Sequence, residues 1–95
     1  MQMNNTHKLK FTFNVAWQKI KEKELFYIYD IPNMNTYTFD DSGYYILCGI
    51  ENHMSINEIC LQFVDMYGID FETAHSDIVE FVGEISSLGM VENYA

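Results

Sequence analysis

Residues 55–89 read SINEICLQFVDMYGIDFETAHSDIVEFVGEISSLG, and the punctuation within this stretch decides the architecture. Ser55 with Glu58 three residues on has the spacing of a capping box ahead of an apolar run. Ile59, Leu61, Phe63, Val64 and Tyr67 fill the helix that follows, and Gly68 stops it by taking the left-handed cap. Asp70 caps the next helix, whose apolar positions are Phe71, Ala74, Ile78, Phe81, Ile85 and Leu88, and Gly89 closes it. Two helices separated by Gly68-Ile69-Asp70 have helix-turn-helix spacing. Upstream, Asp40-Asp41-Ser42 offers N-cap side chains, and negative charge where a helix dipole favours it. A short helix through Tyr44, Tyr45, Ile46, Leu47 and Ile50 follows, ending near Glu51-Asn52.

The first half of the chain reads as strands. Leu9, Phe11, Phe13, Val15 and Trp17 alternate with polar residues, the period of a half-buried strand. QKIKEKE (18–24) is polar enough for a turn, and LFYIYDI (25–31) is β-branched and aromatic, a second strand. Pro32-Asn33-Met34-Asn35 has turn chemistry, because Pro fixes φ and Asn tolerates the left-handed region. Thr36 to Phe39 make a third short strand, and Met90-Val91 either adds a last strand or packs on the core. The order predicts an α+β domain over residues 1–95, with 1–14 as an extension of the first strand. An N-terminal three-stranded antiparallel sheet precedes three helices, an arrangement like a winged helix-turn-helix.

Charge limits the function of such a fold. Residues 1–23 hold all five lysines against Glu22, and residues 24–95 hold thirteen acids and no Lys or Arg. A basic edge beside an acidic body orients a partner electrostatically, or the lysines simply solvate an exposed strand. The third helix carries Glu72, Asp77, Glu80 and Glu84 and no Lys or Arg. A helix of that charge repels phosphate, so a nucleic-acid partner is not expected.

Plotted at about 100° per residue, the third helix has one seam of Leu88, Phe81, Ala74, Ile85 and Ile78. A second stripe of Val82, His75, Ser86 and Val79 lies on one flank, and Asp77, Glu84, Thr73 and Glu80 lie on the other. A helix that only covers a core needs an apolar arc a little over 100° wide. The second stripe is left over, free to wall a groove unless the sheet wraps that side.

Other chemistry finds little support. Cys48 and Cys60 fall in apolar helical patterns without metal spacing and read as buried free thiols. His7, His53 and His75 are far apart, so no metal site is expected, and His75 reads equally as a ligand contact or a helix-surface residue. Asp40-Asp41 reads as capping before acid–base work. No GxSxG, P-loop or GxGxxG motif is present, so neither catalysis nor a cofactor is expected. Asp41-Ser42-Gly43 superficially resembles the attachment site of an acyl or peptidyl carrier, but carriers are helical bundles and this chain opens with strands. No signal peptide or membrane span is visible, and a reducing cytoplasm is the expected compartment.

From about Val15 to Val91 the chain resembles the PqqD family, the peptide-binding modules also called RiPP recognition elements. The resemblance is carried by a strand pair ending in TYTFDDSGYYIL, by the polar turn ENHMSINEI, and by CLQFVDMYGIDFETAHSDIVEFVGEISSLGMVE. The chain departs from the family in having Glu51-Asn52 where an Asp-Gly turn is usual, and in the additional segment HKLKFTF. The resemblance implies a non-catalytic module that binds the leader of a ribosomally made precursor peptide. The leader would add as a strand to the third strand of the sheet, with its side chains in a groove beside the third helix. Carried over by position, the pairing falls on Met34, Asn35, Thr36, Tyr37 and Thr38, and the groove on His75, Ile78, Val79, Val82 and Ser86. The implied partners are the leader peptide and a separate maturation enzyme, such as a radical-SAM enzyme, a cyclase or a leader protease. The same fold without a peptide client, as an interaction or oligomerisation module, is the alternative.

Overall fold

The computed structural model describes residues 7–93; residues 1–6 and 94–95 of the expected domain lie outside the described residues. Strands β1 (Leu9–Phe11), β2 (Val15–Ile20), β3 (Leu25–Asp30) and β4 (Asn35–Phe39) come first, followed by helices α1 (Asp41–Glu51), α2 (Ile56–Tyr67) and α3 (Phe71–Ser87), and then β5 (Val91–Asn93). β2, β3 and β4 form the antiparallel meander expected from the alternation, in spatial order β2-β3-β4.

The first strand differs from the expectation. The apolar alternation from Leu9 to Trp17 is not one strand but two, broken at Thr12–Asn14. The hydroxyl of Thr12 accepts from the Asn14 N–H at 3.3 Å and donates to the Gly89 carbonyl at 2.6 Å. This local turn competes with the extended chain, and Phe13 is left fully exposed at the bend. β1 therefore leaves the meander and pairs antiparallel with β5, Leu9 opposite Asn93. Met90-Val91 thus leads into a strand, and the N-terminal segment is part of the fold. Leu9 is buried in the core, and the Ile56 N–H donates to the His7 carbonyl. Within the polar stretch 18–24, β2 persists to Ile20 and Lys21–Lys23 form a single 3-10 turn ended by Glu24 in the left-handed region.

The helix termini follow their local chemistry. The Ser55 hydroxyl accepts from the Glu58 N–H at 3.1 Å, and the Glu58 carboxylate accepts from the Ser55 N–H at 2.9 Å, completing the capping box. These bonds hold the Glu58 carboxyl below its ordinary pKa. Asp70 accepts from the Thr73 N–H at 2.8 Å. α3 ends in a Schellman motif: the Met90 N–H bonds the Ile85 carbonyl and the Gly89 N–H bonds the Ser86 carbonyl, with Gly89 at φ 74°. At α1, Asp40 occupies the N-cap but makes no side-chain capping bond, so the cap expected of Asp40-Asp41-Ser42 is not formed there.

The core lies between the inner face of the meander and the three helices. β3 contributes Phe26 and Ile28, while Ile46, Leu47, Ile59, Ile78 and Ile85 fill in from the helices. Cys60 is buried among them and Cys48 is half-buried; both are free, and burial pushes both thiols above their ordinary pKa. α1 and α2 approach closely at Gly49, where an added Cβ would lie 2.7 Å from the Cγ1 of Ile59. Gly49→Ala is therefore expected to lower stability by about 1–3 kcal/mol through overpacking, although alanine is the better helix former by about 1 kcal/mol. Gly83, with open space around its Cβ position, gives the contrast: Gly83→Ala should raise stability by about 0.5–1 kcal/mol. Urea denaturation of the two variants reads the difference, and parental stability for Gly49→Ala would mean that Ile59 gives way.

Candidate functional site

β4 lies at one margin of the meander and, among the described residues, pairs only with β3. Successive residues of an antiparallel strand turn their backbone groups to alternate sides. The Ile31 N–H donates to the Asn14 carbonyl at 2.9 Å, toward the β2 side. By alternation Tyr27 and Tyr29 also face β2, while Phe26, Ile28 and Asp30 face β4. Opposite those three stand Phe39, Tyr37 and Asn35, so their N–H and C=O groups are held by β3. Thr36 and Thr38 turn theirs outward, to the open side. A run of two donors and two acceptors with no strand against it among the described residues is a template for strand addition.

The hairpin tip before β4 is built by Asp30. Its buried carboxylate accepts from the Asn33 side chain at 2.9 Å and from the Asn33 N–H at 3.4 Å. Met34, not an asparagine, takes the left-handed conformation, with φ 56°, and its side chain is almost fully exposed. Thr36 and Thr38 project to the outer face beside Tyr29 and Tyr27, while Tyr37 and Phe39 project inward and pack against the core.

α3 sits differently from the helical-wheel expectation. Its buried residues are Ala74, Ile78, Val82 and Ile85. Val82 is therefore a core residue and not a groove wall, and Ile78, expected in both roles, serves only the core; neither presents accessible surface. Phe81, expected in the seam, stands at its margin, and Leu88 is about half exposed. Side-chain size explains the rotation: valine fits the close-packed seam, whereas the Phe81 ring fills the wider corner between layers. There it meets the Phe39 ring edge-on at 5.6 Å, and a Cβ on Gly43 would come 3.3 Å from it.

The concave surface lies on this side of α3. A cavity of about 230 Å³ is lined by Ser42 and Ile46 of α1, Phe63 of α2, and Asp77, Glu80, Phe81 and Glu84 of α3. A recess of about 350 Å³ adjoins it and shares Ser42, Phe63 and Asp77, with Tyr67 and Ile69 beyond. The Phe39–Phe81 contact joins the cavity to the end of the open strand. Half-buried His75, Val79 and Ser86 lie across the buried seam on the other flank. His75 stacks on Phe71 at 6.0 Å and lines a separate shallow recess. The structure thus brings Met34 to Thr38 together along one edge, but sets beside that edge the acidic flank and Phe81, not the stripe singled out from the sequence. A signal for this existed: Phe81 is the aromatic ring of α3 flanked at helical spacing by carboxylates, Asp77 four residues before it and Glu84 three after.

Among the described residues, no Lys, Arg or His side chain lines the cavity. The ion pairs among the described residues are Lys10–Glu92 at 3.6 Å and Lys19–Glu51 at 2.7 Å, both remote from Asp77, Glu80 and Glu84 in sequence. Among the described residues no group of three His, Cys, Asp or Glu side chains is placed to hold a metal, and no helix is long and apolar enough to cross a membrane.

Residues 27–91 match the family model described as coenzyme PQQ synthesis protein D (PqqD). Among solved structures, the chain is similar to TbiB1 in complex with the TbiA(beta) leader peptide. Identity there is 20%, over 90% of this chain and 98% of that one, with a TM-score of 0.80. It is also similar to a lasso peptide synthetase B1 complexed with the leader peptide, at 13% identity, the same coverages and a TM-score of 0.78. At these identities the likeness is one of fold, shared over nearly the whole of each chain. No curated protein sequence matches significantly.

Proposed function

The chain belongs to the PqqD family, and from that premise we propose that it binds the leader segment of a ribosomally synthesised precursor peptide by strand addition to β4 and presents it to a separate modifying enzyme. The observation that carries this reading is the open β4 edge, where the backbone groups of Thr36 and Thr38 face outward beside a cavity on α3. Similarity to two solved chains described as bound to leader peptides supports it. Four backbone hydrogen bonds from two residues give affinity without reading sequence. Each contributes about 0.5–1.5 kcal/mol. Register then comes from side chains entering the cavity and resting on Met34 and Tyr37. The module itself performs no catalysis. It raises the local concentration of the precursor at an enzyme that acts on the remainder of the chain, whether a radical-SAM enzyme, a cyclase or a leader protease.

The test uses a candidate precursor peptide, taken from the short reading frames near this chain's gene and divided into its leader and core halves. Calorimetric titration should give micromolar or tighter binding of the leader half and none of the core half. Amide exchange should slow at Thr36 and Thr38 on binding, because their N–H groups become bonded. Equal binding of the two halves, or leader binding with unchanged exchange at both threonines, would overturn the reading.

A further inference from the structure

We propose that the peptide segment taken up at the β4 edge is cationic, with a Lys or Arg side chain lying over Phe81 and its charged head among Asp77, Glu80 and Glu84. This rests on the strand-addition reading and narrows the class of peptide that the site accepts. The three carboxylates line one cavity together with apolar Phe81, Phe63 and Ile46. An apolar floor with charge at the rim suits a long basic side chain, whose methylene stem needs burial and whose head needs a counter-charge. Among the described residues no basic side chain lines this cavity. Residues 24–95 contain no Lys or Arg, and the ion pairs among the described residues engage Glu92 and Glu51.

The helix bears a cost for this arrangement. Asp77 and Glu80 are three residues apart and Glu80 and Glu84 four, the spacings at which like charges on a helix repel. A bound cation relieves that repulsion as well as forming its own contacts. Geometry links the carboxylates to the strand edge. The Phe39–Phe81 ring contact sets the cavity at the end of β4 next to Thr38. A peptide paired there runs about 4.8 Å outside β4, within reach of an extended Lys or Arg. Asp77 to Glu84 spans about 10 Å of helix at 1.5 Å per residue. The wall therefore selects for charge over a length of peptide rather than for one fixed position.

The experiment selects binders to the full chain from a phage-displayed library of random twelve-residue peptides. The recovered peptides should be enriched in Lys or Arg and lost when Thr38→Pro protein is used. The triple variant Asp77→Asn/Glu80→Gln/Glu84→Gln should bind a recovered peptide about ten- to thirtyfold more weakly, roughly two- to threefold per carboxylate. A control neutralised elsewhere, Glu22→Gln/Asp65→Asn/Glu72→Gln, should bind it like the parent. If the peptides depend on Thr38 but show no basic enrichment, or if the control weakens binding as much as the triple variant does, the cationic inference falls and strand addition stands. If no peptides are recovered, or if those recovered ignore Thr38→Pro, both fall together.

Discussion

Val82→Asp should abolish the cooperative thermal transition and leave the protein unfolded or insoluble. Val82 has no exposed surface and lies in the α3 seam with Ala74, Ile78 and Ile85. An aspartate there forfeits the burial of a valine, about 1.5–3 kcal/mol. It also places an uncompensated charge in the core, a further cost of about 3–5 kcal/mol. Protonation would lessen the second cost but leave a buried hydroxyl and carbonyl without partners. A domain of 95 residues has a total stability of about 5–14 kcal/mol, at about 0.05–0.15 kcal/mol per residue. At the middle of these ranges the combined cost takes about two thirds of that stability. Val79→Asp, on the half-buried flank, is the comparison and should keep a cooperative melt. Circular dichroism against temperature decides, and a parental melt for Val82→Asp would mean that the seam is misplaced.

Thr38→Pro should leave the fold intact and weaken leader binding about 5- to 150-fold. Proline removes the N–H that faces the open edge. Leaving the peptide's carbonyl unmet in a partly buried site costs about 1–3 kcal/mol, and each 1.4 kcal/mol is about a factor of ten. The sheet itself loses no hydrogen bond, because Thr38 does not donate to β3; prolines are tolerated on sheet edges for this reason. Thr36→Pro should behave in the same way. Tyr37→Pro separates the two effects, since the Tyr37 N–H is directed to Ile28 of β3 and its loss destabilises the hairpin whether or not peptide is present. Calorimetry with the leader peptide, with circular dichroism as a folding control, reads all three. If the threonine variants bind like the parent, the leader does not pair with this strand.

What the sequence disclosed and what it withheld divide along the range of the interactions concerned. The Ser55–Glu58 box, the Asp70 cap, and Gly68 and Gly89 in the left-handed region depend on atoms within a few residues of each other, so the boundaries of α2 and α3 were legible. The split at Thr12 was not. The apolar alternation continues across it, and the bend is fixed by a bond from the Thr12 hydroxyl to the Gly89 carbonyl, 77 positions away. The groove was half legible. A free third strand follows from strand order, but a helical wheel gives angles without neighbours. Val82 and Phe81 are adjacent residues about 100° apart on α3, and either could head an apolar seam. Their sizes decide which one enters the core, and only the shape of the corner at Gly43 and Phe39 makes size decisive.

The β1–β5 pairing places a constraint in time on how this module comes into being. The meander closes through short connections and can assemble as soon as residue 39 has left the ribosome. The ribbon cannot close until β5 emerges, although β1 can already meet α1 and the start of α2. Until then the chain carries an unfinished core, with its basic N-terminal strand unpaired along the side that β5 will cover. Closing so long a loop is slow relative to a hairpin. The edge that receives a client is thus ready before the clasp that stabilises it, and vulnerability to premature pairing with other nascent strands is greatest in that interval.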